Sequence, residues 1–220
     1  MDLRAADELL TTTRSVRKRL DLAKPVPRAL IEECIEIALQ APTGSNAQGW
    51  HFVVVTDAAK RAEIARYYKE ALSGYMKMQE AAGPRYTAPG DPRKEQETRV
   101  RESAIFLADH LHEVPVHVIP CVEGRVETAP LVAQASLYGS ILPAAWSFML
   151  AARARGLGMA WTTLHLIRER DVAKLLGIPD GVTQTALLPV AYFKGRDFRP
   201  AKRLPSRELT SWNSWGARGG

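Results

Sequence analysis

The stretch Gln40-Ala41-Pro42-Thr43-Gly44-Ser45-Asn46-Ala47-Gln48-Gly49-Trp50-His51, followed at once by Phe52-Val53-Val54-Val55, decides how this chain is read. Upstream of it, Leu30, Ile31, Cys34, Ile35, Ala38 and Leu39 fall on one stripe of a helix. Downstream, the aromatic and β-branched run reads as a buried strand. Between them sit Pro, Gly, Ser, Asn and Gln, the residues of an irregular loop rich in backbone donors and small polar groups. Gly44 and Ser45 leave the backbone uncovered, so a flat polar ligand could approach it closely. An ordinary helix-to-strand connection is the other reading of the same residues.

The 220 residues suit one domain, residues 1–220, and the 46% hydrophobic fraction is ample for a packed core. The N-terminus Met1-Asp2-Leu3-Arg4-Ala5-Ala6-Asp7-Glu8 is charged where a signal peptide needs an apolar run. The longest apolar stretch, 138–152, contains Pro143 and is short for a bilayer, so it reads as a buried helix and no membrane partner is expected. Two cysteines, Cys34 and Cys121, make neither a disulfide framework nor a metal site, which fits a reducing cytoplasm. A net charge of +6 invites a nucleic-acid reading. The positive residues are spread along the chain, however, with no zinc spacing and no aromatic RNA-binding strand, so small anionic molecules are the better match.

Further out, 3–12 reads as a helix with Ala5, Ala6, Leu9 and Leu10 at helical spacing. Arg14-Ser15-Val16-Arg17 follows; in a turn its guanidinium groups and hydroxyl can converge on one phosphate, although a solvated basic face has the same composition. Pro27 or Arg28 opens the next helix. Asp57 caps a long helix reaching residue 80, residues 81–92 are irregular, and a polar helix spans 93–111. The charged, weakly periodic region 67–110 resembles a mobile helical excursion or lid. A strand is expected at 114–122, placed near an edge or limited to its centre by Pro115 and Pro120. Residues 131–155 form the most hydrophobic helix, apolar nearly all round and therefore buried on every side, in a core or across a subunit boundary; Pro143 kinks it or starts it anew. Gly156-Leu157-Gly158 stops it. A strand at 159–164, a helix at 169–176 closed by Gly177, and a strand at 183–192 complete the body, leaving a basic, irregular tail at 194–220. This order gives a mixed α/β or α+β sheet flanked by helices.

Several chemistries are excluded. There is no Gly-x-x-x-x-Gly-Lys-Ser/Thr loop, no Gly-x-Gly-x-x-Gly after a strand and no Gly-x-Ser-x-Gly elbow. The histidines His51, His110, His112, His117 and His165 lack metal-site spacing, and no carboxylate pair stands out. A bound organic cofactor is then the natural carrier of any reaction.

Arg14-Ser15-Val16-Arg17 after a first helix is similar to the phosphate-binding start of the FMN-dependent nitroreductase family. The loop 41–52 resembles that family's Ala-Pro-Ser/Thr-x-x-Asn-x-Gln-Pro-Trp pattern. The helix around Gly139-Ser140-Ile141-Leu142-Pro143-Ala144-Ala145, its Gly156-Leu157-Gly158 stop and the Arg203-Leu204-Pro205 tail are similar too, in the same order. Gly49 departs from the family's usual Pro, and Ala201, beside Lys202, stands at a tail position that is often basic.

The resemblance implies an α+β fold, a nitroreductase-like three-layer sandwich with a mixed, mostly antiparallel sheet, intertwined as a homodimer with two FMN molecules at the interface. Arg14, Ser15, Arg17 and Arg203 would hold the ribityl phosphate and the polar edge of the flavin. Pro42, Thr43, Gly44 and Asn46 would reach it from the other subunit, and Thr162, Thr163 and Leu164 would line the ring near N5. The helix around Trp146 would be central to the dimer. The implied activity is reduction of nitroaromatics, quinones or related acceptors with NADH or NADPH as donor, by a ping-pong route. Tyr67, Tyr68, Tyr75, Met76 and Met78 would line the substrate pocket, unless they simply pack the lid helix. The same fold could instead serve reductive dehalogenation, flavin destruction or dehydrogenation, and a module binding anionic ligands or nucleic acid is the non-enzymatic alternative.

Overall fold

The computed structural model describes residues 2–83, 85–86, 88, 90–195 and 198–218. The described elements are α1 (Leu3–Thr12), α2 (Arg28–Ala38), β1 (Trp50–Val55), α3 (Ala58–Ala82), α4 (Pro92–His110), β2 (Val116–Glu123), α5 (Leu131–Ala154), β3 (Leu157–Met159), α6 (Glu169–Leu176), β4 (Val182–Gln184), β5 (Leu188–Tyr192) and α7 (Ser206–Leu209). Short 3₁₀ turns lie at Gly44–Asn46, Leu111–Glu113 and Leu164–Arg168. Asp57 caps α3 as expected, accepting the Lys60 amide at 2.8 Å. Of the expected basic tail, Arg196 and Gly220 lie outside the described residues, and α7 gives the remainder one short helix.

The expectation of a mostly antiparallel sheet between helices holds, and every described pairing is antiparallel. β2 lies in the interior, with β1 on one side and β4 and β5 on the other, while β3 closes the far edge against β5. Alternation along β2 sorts its side chains into two layers. Val116 and Val118 join Phe148, Met149, Ile31 and Cys34 of α5 and α2, whereas Ile119 and Cys121 join Ile64, Tyr68, Leu72 and Leu107 of α3 and α4. Each fully buried Leu, Ile or Phe among them is stabilised by about 1.5–3 kcal/mol. Cys34 and Cys121 occupy opposite layers, where burial raises their thiols to about 11 and about 12.

The strands differ from expectation in an instructive way. β2 is central in spite of its proline. Its register changes by one residue between Cys121↔Gln184 and Val118↔Leu188, so Thr185, Ala186 and Leu187 face only Ile119 and Pro120. That is a β-bulge. Pro120 accepts the Thr185 amide at 3.0 Å but has no N–H to return, so the ladder opens there and the expected strand 183–192 becomes β4 and β5. Leu187, freed from β2, exchanges both backbone hydrogen bonds with Thr162, at 2.8 and 3.2 Å. β3 continues that register but ends at Met159 instead of starting there, because Ala160 falls opposite Pro189, which has no N–H to donate.

α5 runs unbroken through Pro143 and is not divided into two helices. At 24 residues it is long and apolar enough to cross a membrane, yet Ile141, Ala144, Ala145, Phe148 and Ala152 are buried against the sheet and α2. Within the chain it is not buried all round: Leu131 is 79% and Val132 77% exposed, and Tyr138, Leu142 and Trp146 lie open as well.

Candidate functional site

The basic segment after α1 is stitched to the sheet by its backbone. Val16 donates to the Met159 carbonyl at 2.8 Å, Asp21 donates to Tyr192 at 2.7 Å, and Lys194 donates to Arg19 at 2.8 Å. Val16 is buried, so its neighbours Ser15 and Arg17 are held in place around it. The Arg14 guanidinium donates to the Arg199 carbonyl at 3.0 Å and that of Arg17 to Ser103 Oγ at 3.4 Å. Arg14, Ser15, Arg17, Arg19, Arg99, Ser103 and Arg199 thereby surround a cavity of about 280 Å³. Among the described residues none of its walls is a carboxylate. Glu102, the acidic residue nearest in sequence, is tied to Lys18 at 3.2 Å. Burial lowers the Arg17 pKa from its ordinary value, partly offset by nearby Tyr68.

From Arg17 the site continues to the segment 162–164 through Tyr68, whose hydroxyl lies 3.0 Å from Thr162 Oγ1. Burial raises the Tyr68 phenol, against the opposing effects of the Thr162 hydrogen bond and Arg17, so it remains protonated at neutral pH. Thr163 is exposed, and Leu164 packs against the α3 layer while opening the 3₁₀ turn, whose first amides point away from the helix as at any helix start. The structure therefore joins Arg14, Ser15, Arg17 and Thr162 into one region, with Thr163 and Leu164 following on.

The residues 42–46 are not among the described walls of that cavity. The Gly44 amide donates to Ser140 Oγ at 2.9 Å, and a Cβ on Gly44 would lie 2.4 Å from Ser136 Oγ. Gly44 thus lets the loop lie against α5. Asn46 Oδ1 accepts from the Gln48 side chain at 3.0 Å, and Thr43 Oγ1 accepts the Gln48 amide at 3.2 Å. Ser45, Asn46 and Gln48 have φ of 51, 52 and 52°, a conformation that costs on the order of 1 kcal/mol per residue without glycine. Pro42 is exposed at the loop's start. Arg203 is not in the 280 Å³ cavity; its guanidinium donates to the Lys202 carbonyl at 3.3 Å, and Arg199 is the tail arginine beside Arg14.

Sequence reasoning missed Arg99, Ser103 and Arg199. The first two lie four residues apart on a helix, the spacing that places side chains on one face, and this was the available signal. Of the proposed lid residues, Tyr75 and Met76 line a cavity of about 760 Å³ between α3 and α4, Tyr67 lies beneath the Arg66 and Arg168 guanidiniums, and Met78 is exposed. Two buried histidines lie close to the segment 162–164. His165 has no partner for either ring nitrogen among the described residues, and His117 uses only Nε2, 2.9 Å from the Leu111 carbonyl. Burial depresses both, to about 3 and about 4. Arg125 nearby grips Glu169 with two hydrogen bonds, at 2.5 and 3.0 Å, and the Val182 carbonyl at 3.1 Å.

A two-layered helical cover over an antiparallel sheet, with a basic pocket at its mouth, defines a class that the sequence relatives identify. Residues 10–192 match the Nitroreductase family, and the chain belongs to it; it is accordingly an oxidoreductase. It is 30% identical over 219 residues to an NADH dehydrogenase of Thermus thermophilus, covering 90% of this chain and 91% of that one. A 4-nitrobenzoate reductase of Nocardioides is 27% identical, covering 86% and 81%. The fold matches a crystal structure of oxidized iodotyrosine deiodinase bound to FMN and 3-iodo-L-tyrosine, with a TM-score of 0.68 and 22% identity over 94% of this chain and 98% of that one.

Proposed function

We propose that the protein is an FMN-dependent oxidoreductase that takes electrons from NADH or NADPH and reduces nitroaromatics, quinones or related acceptors, donor and acceptor occupying the same face in turn. The observation that carries this reading is the cavity built by Arg14, Ser15 and Arg17, whose described walls offer guanidinium and hydroxyl donors and no carboxylate. That donor set fits a phosphate, which arginine grips through paired N–H groups. Arg14, Ser15 and Arg17 would hold the ribityl phosphate, with Arg199 where the tail was expected to supply Arg203. Thr162, Thr163 and Leu164 would border the ring, with Tyr68 holding Thr162 in place. Bound FMN supplies hydride chemistry at N5, which explains why no catalytic triad or metal set is needed.

The open apolar face of α5 supports a homodimer as the working form. A second protomer would cover Leu142 and Trp146 and bring its own Pro42, Thr43, Gly44 and Asn46 to the flavin, which accounts for their absence from the described lining of the Arg14 cavity within one chain. The two buried, unpaired cysteines suit a cytoplasmic setting. The test is an absorbance spectrum of the purified chain before and after NADH or NADPH without oxygen, beside its mass in solution. A yellow dimer bleached by the nucleotide is expected. A colourless chain that takes up no added FMN would overturn the reading.

A further inference from the structure

We propose that α4 forms a second wall of the phosphate site, Arg99 and Ser103 gripping the same anion as Arg14 and Arg17, so that binding the phosphate ties the outer part of α4 to the core. The inference rests on the flavin reading and deepens it. Arg99 and Ser103 share one face of α4, four residues apart, and both open into the cavity lined by Arg14, Ser15 and Arg17. The neighbouring acid, Glu102, is engaged by Lys18 at 3.2 Å and is not among the cavity walls. Ser103 Oγ donates its one proton to the Val100 carbonyl at 2.9 Å, a bond within its own helix, and accepts only a long 3.4 Å contact from Arg17, so it serves the anion by turning that hydroxyl from Val100 into the cavity.

The anchoring of α4 is uneven. Leu107 and Ala108 are buried in the core, but Arg99, Val100, Arg101 and Glu102 are exposed. On the N-terminal side of Ser103 the helix therefore leaves the core, held by polar contacts such as Arg101–Glu80 at 2.5 Å. Exposed pairs of that kind contribute little. Guanidiniums from two separate elements around one small cavity repel each other until an anion lies between them, and a phosphate shared by Arg17 and Arg99 converts that repulsion into a cross-link.

The test uses the full-length chain stripped of flavin, titrated with FMN and with riboflavin, which lacks the phosphate. Arg99→Gln is expected to weaken FMN binding about tenfold, with Ser103→Ala acting in the same direction, while riboflavin binding stays within about twofold of the parent. In the parent, FMN but not riboflavin is expected to slow tryptic cleavage at Arg93 and Lys94. Unchanged FMN affinity in both variants, an equal loss for riboflavin, or equal protection by the two flavins would overturn the inference while leaving the flavin reading intact. A parent that binds neither flavin would instead remove the reading beneath it.

Discussion

Gly158→Ala is a small substitution with a calculable consequence. A Cβ built on Gly158 lies 3.1 Å from Val16 Cβ and 3.2 Å from both Val16 methyls. The glycine has ordinary backbone angles, so the cost is contact and not conformation. Val16 is 4% exposed and cannot retreat freely, because its amide is held at 2.8 Å by Met159, the next residue of the same strand. Overpacking of this kind costs about 1–3 kcal/mol, which lowers the midpoint of thermal unfolding by about 2–12 °C in a chain of this length. Val16 sits between Ser15 and Arg17, so the displacement is also expected to weaken FMN binding. Urea unfolding of the flavin-free chain measures the first effect and flavin titration the second. Val16→Ala, which removes the two methyls, is expected to couple favourably with Gly158→Ala by about 1 kcal/mol in a double-mutant cycle. A single variant within about 0.5 kcal/mol of the parent, or two strictly additive effects, would refute the reasoning.

Gly74→Ala is expected to have the opposite sign. Gly74 is exposed inside α3 with nothing within 4 Å of a built Cβ, so alanine should add about 0.5–1 kcal/mol in the same urea assay. The buried histidines predict acid sensitivity. His117 and His165 sit at about 4 and about 3 when folded, against about 6.5 when unfolded. Their stabilisation is therefore present above pH 6.5 and is lost as the pH falls toward those lower values. Between pH 7.5 and 5 each accounts for about 2 kcal/mol, so His165→Leu should flatten the pH dependence of unfolding by about that amount; an unchanged slope would count against it. Arg125→Ala strips Glu169, whose side chain is 18% exposed, of its two-point partner and is expected to cost about 3 kcal/mol in urea unfolding.

Helices were legible in the sequence wherever apolar spacing and caps agreed, as at α2 with Ile31, Cys34 and Ala38, or at Asp57 and Gly177. The strands were less so, because their ends depend on which neighbour lacks an N–H. Pro189 shortens β3 and Pro120 splits β4 from β5, and neither effect is visible without knowing the pairing. The segment Arg14-Ser15-Val16-Arg17 stood out as a candidate phosphate contact, but Arg99 and Ser103, which line the same cavity, did not, since a polar helix shows no apolar stripe to indicate which face turns inward. The exposed Leu142 and Trp146 show the limit of composition: α5 is apolar on sides that the rest of the chain does not cover.

The extra residue at 185–187 also makes the chain's length at that point a matter of sidedness. Gln184 and Leu188 are separated by an even number of positions, yet Gln184 reaches the Glu169 carbonyl on the α6 side while Leu188 enters the layer of α2 and α5. Deleting one residue there would leave them three positions apart, a spacing that a regular strand already places on opposite faces, so β5 would keep Leu188 and Val190 in their layer and lose the bulge instead. What reads on paper as a flexible join between two strands is thus one residue more than a regular ladder would hold, and losing that residue is the change in length the sheet could absorb without exchanging its two faces.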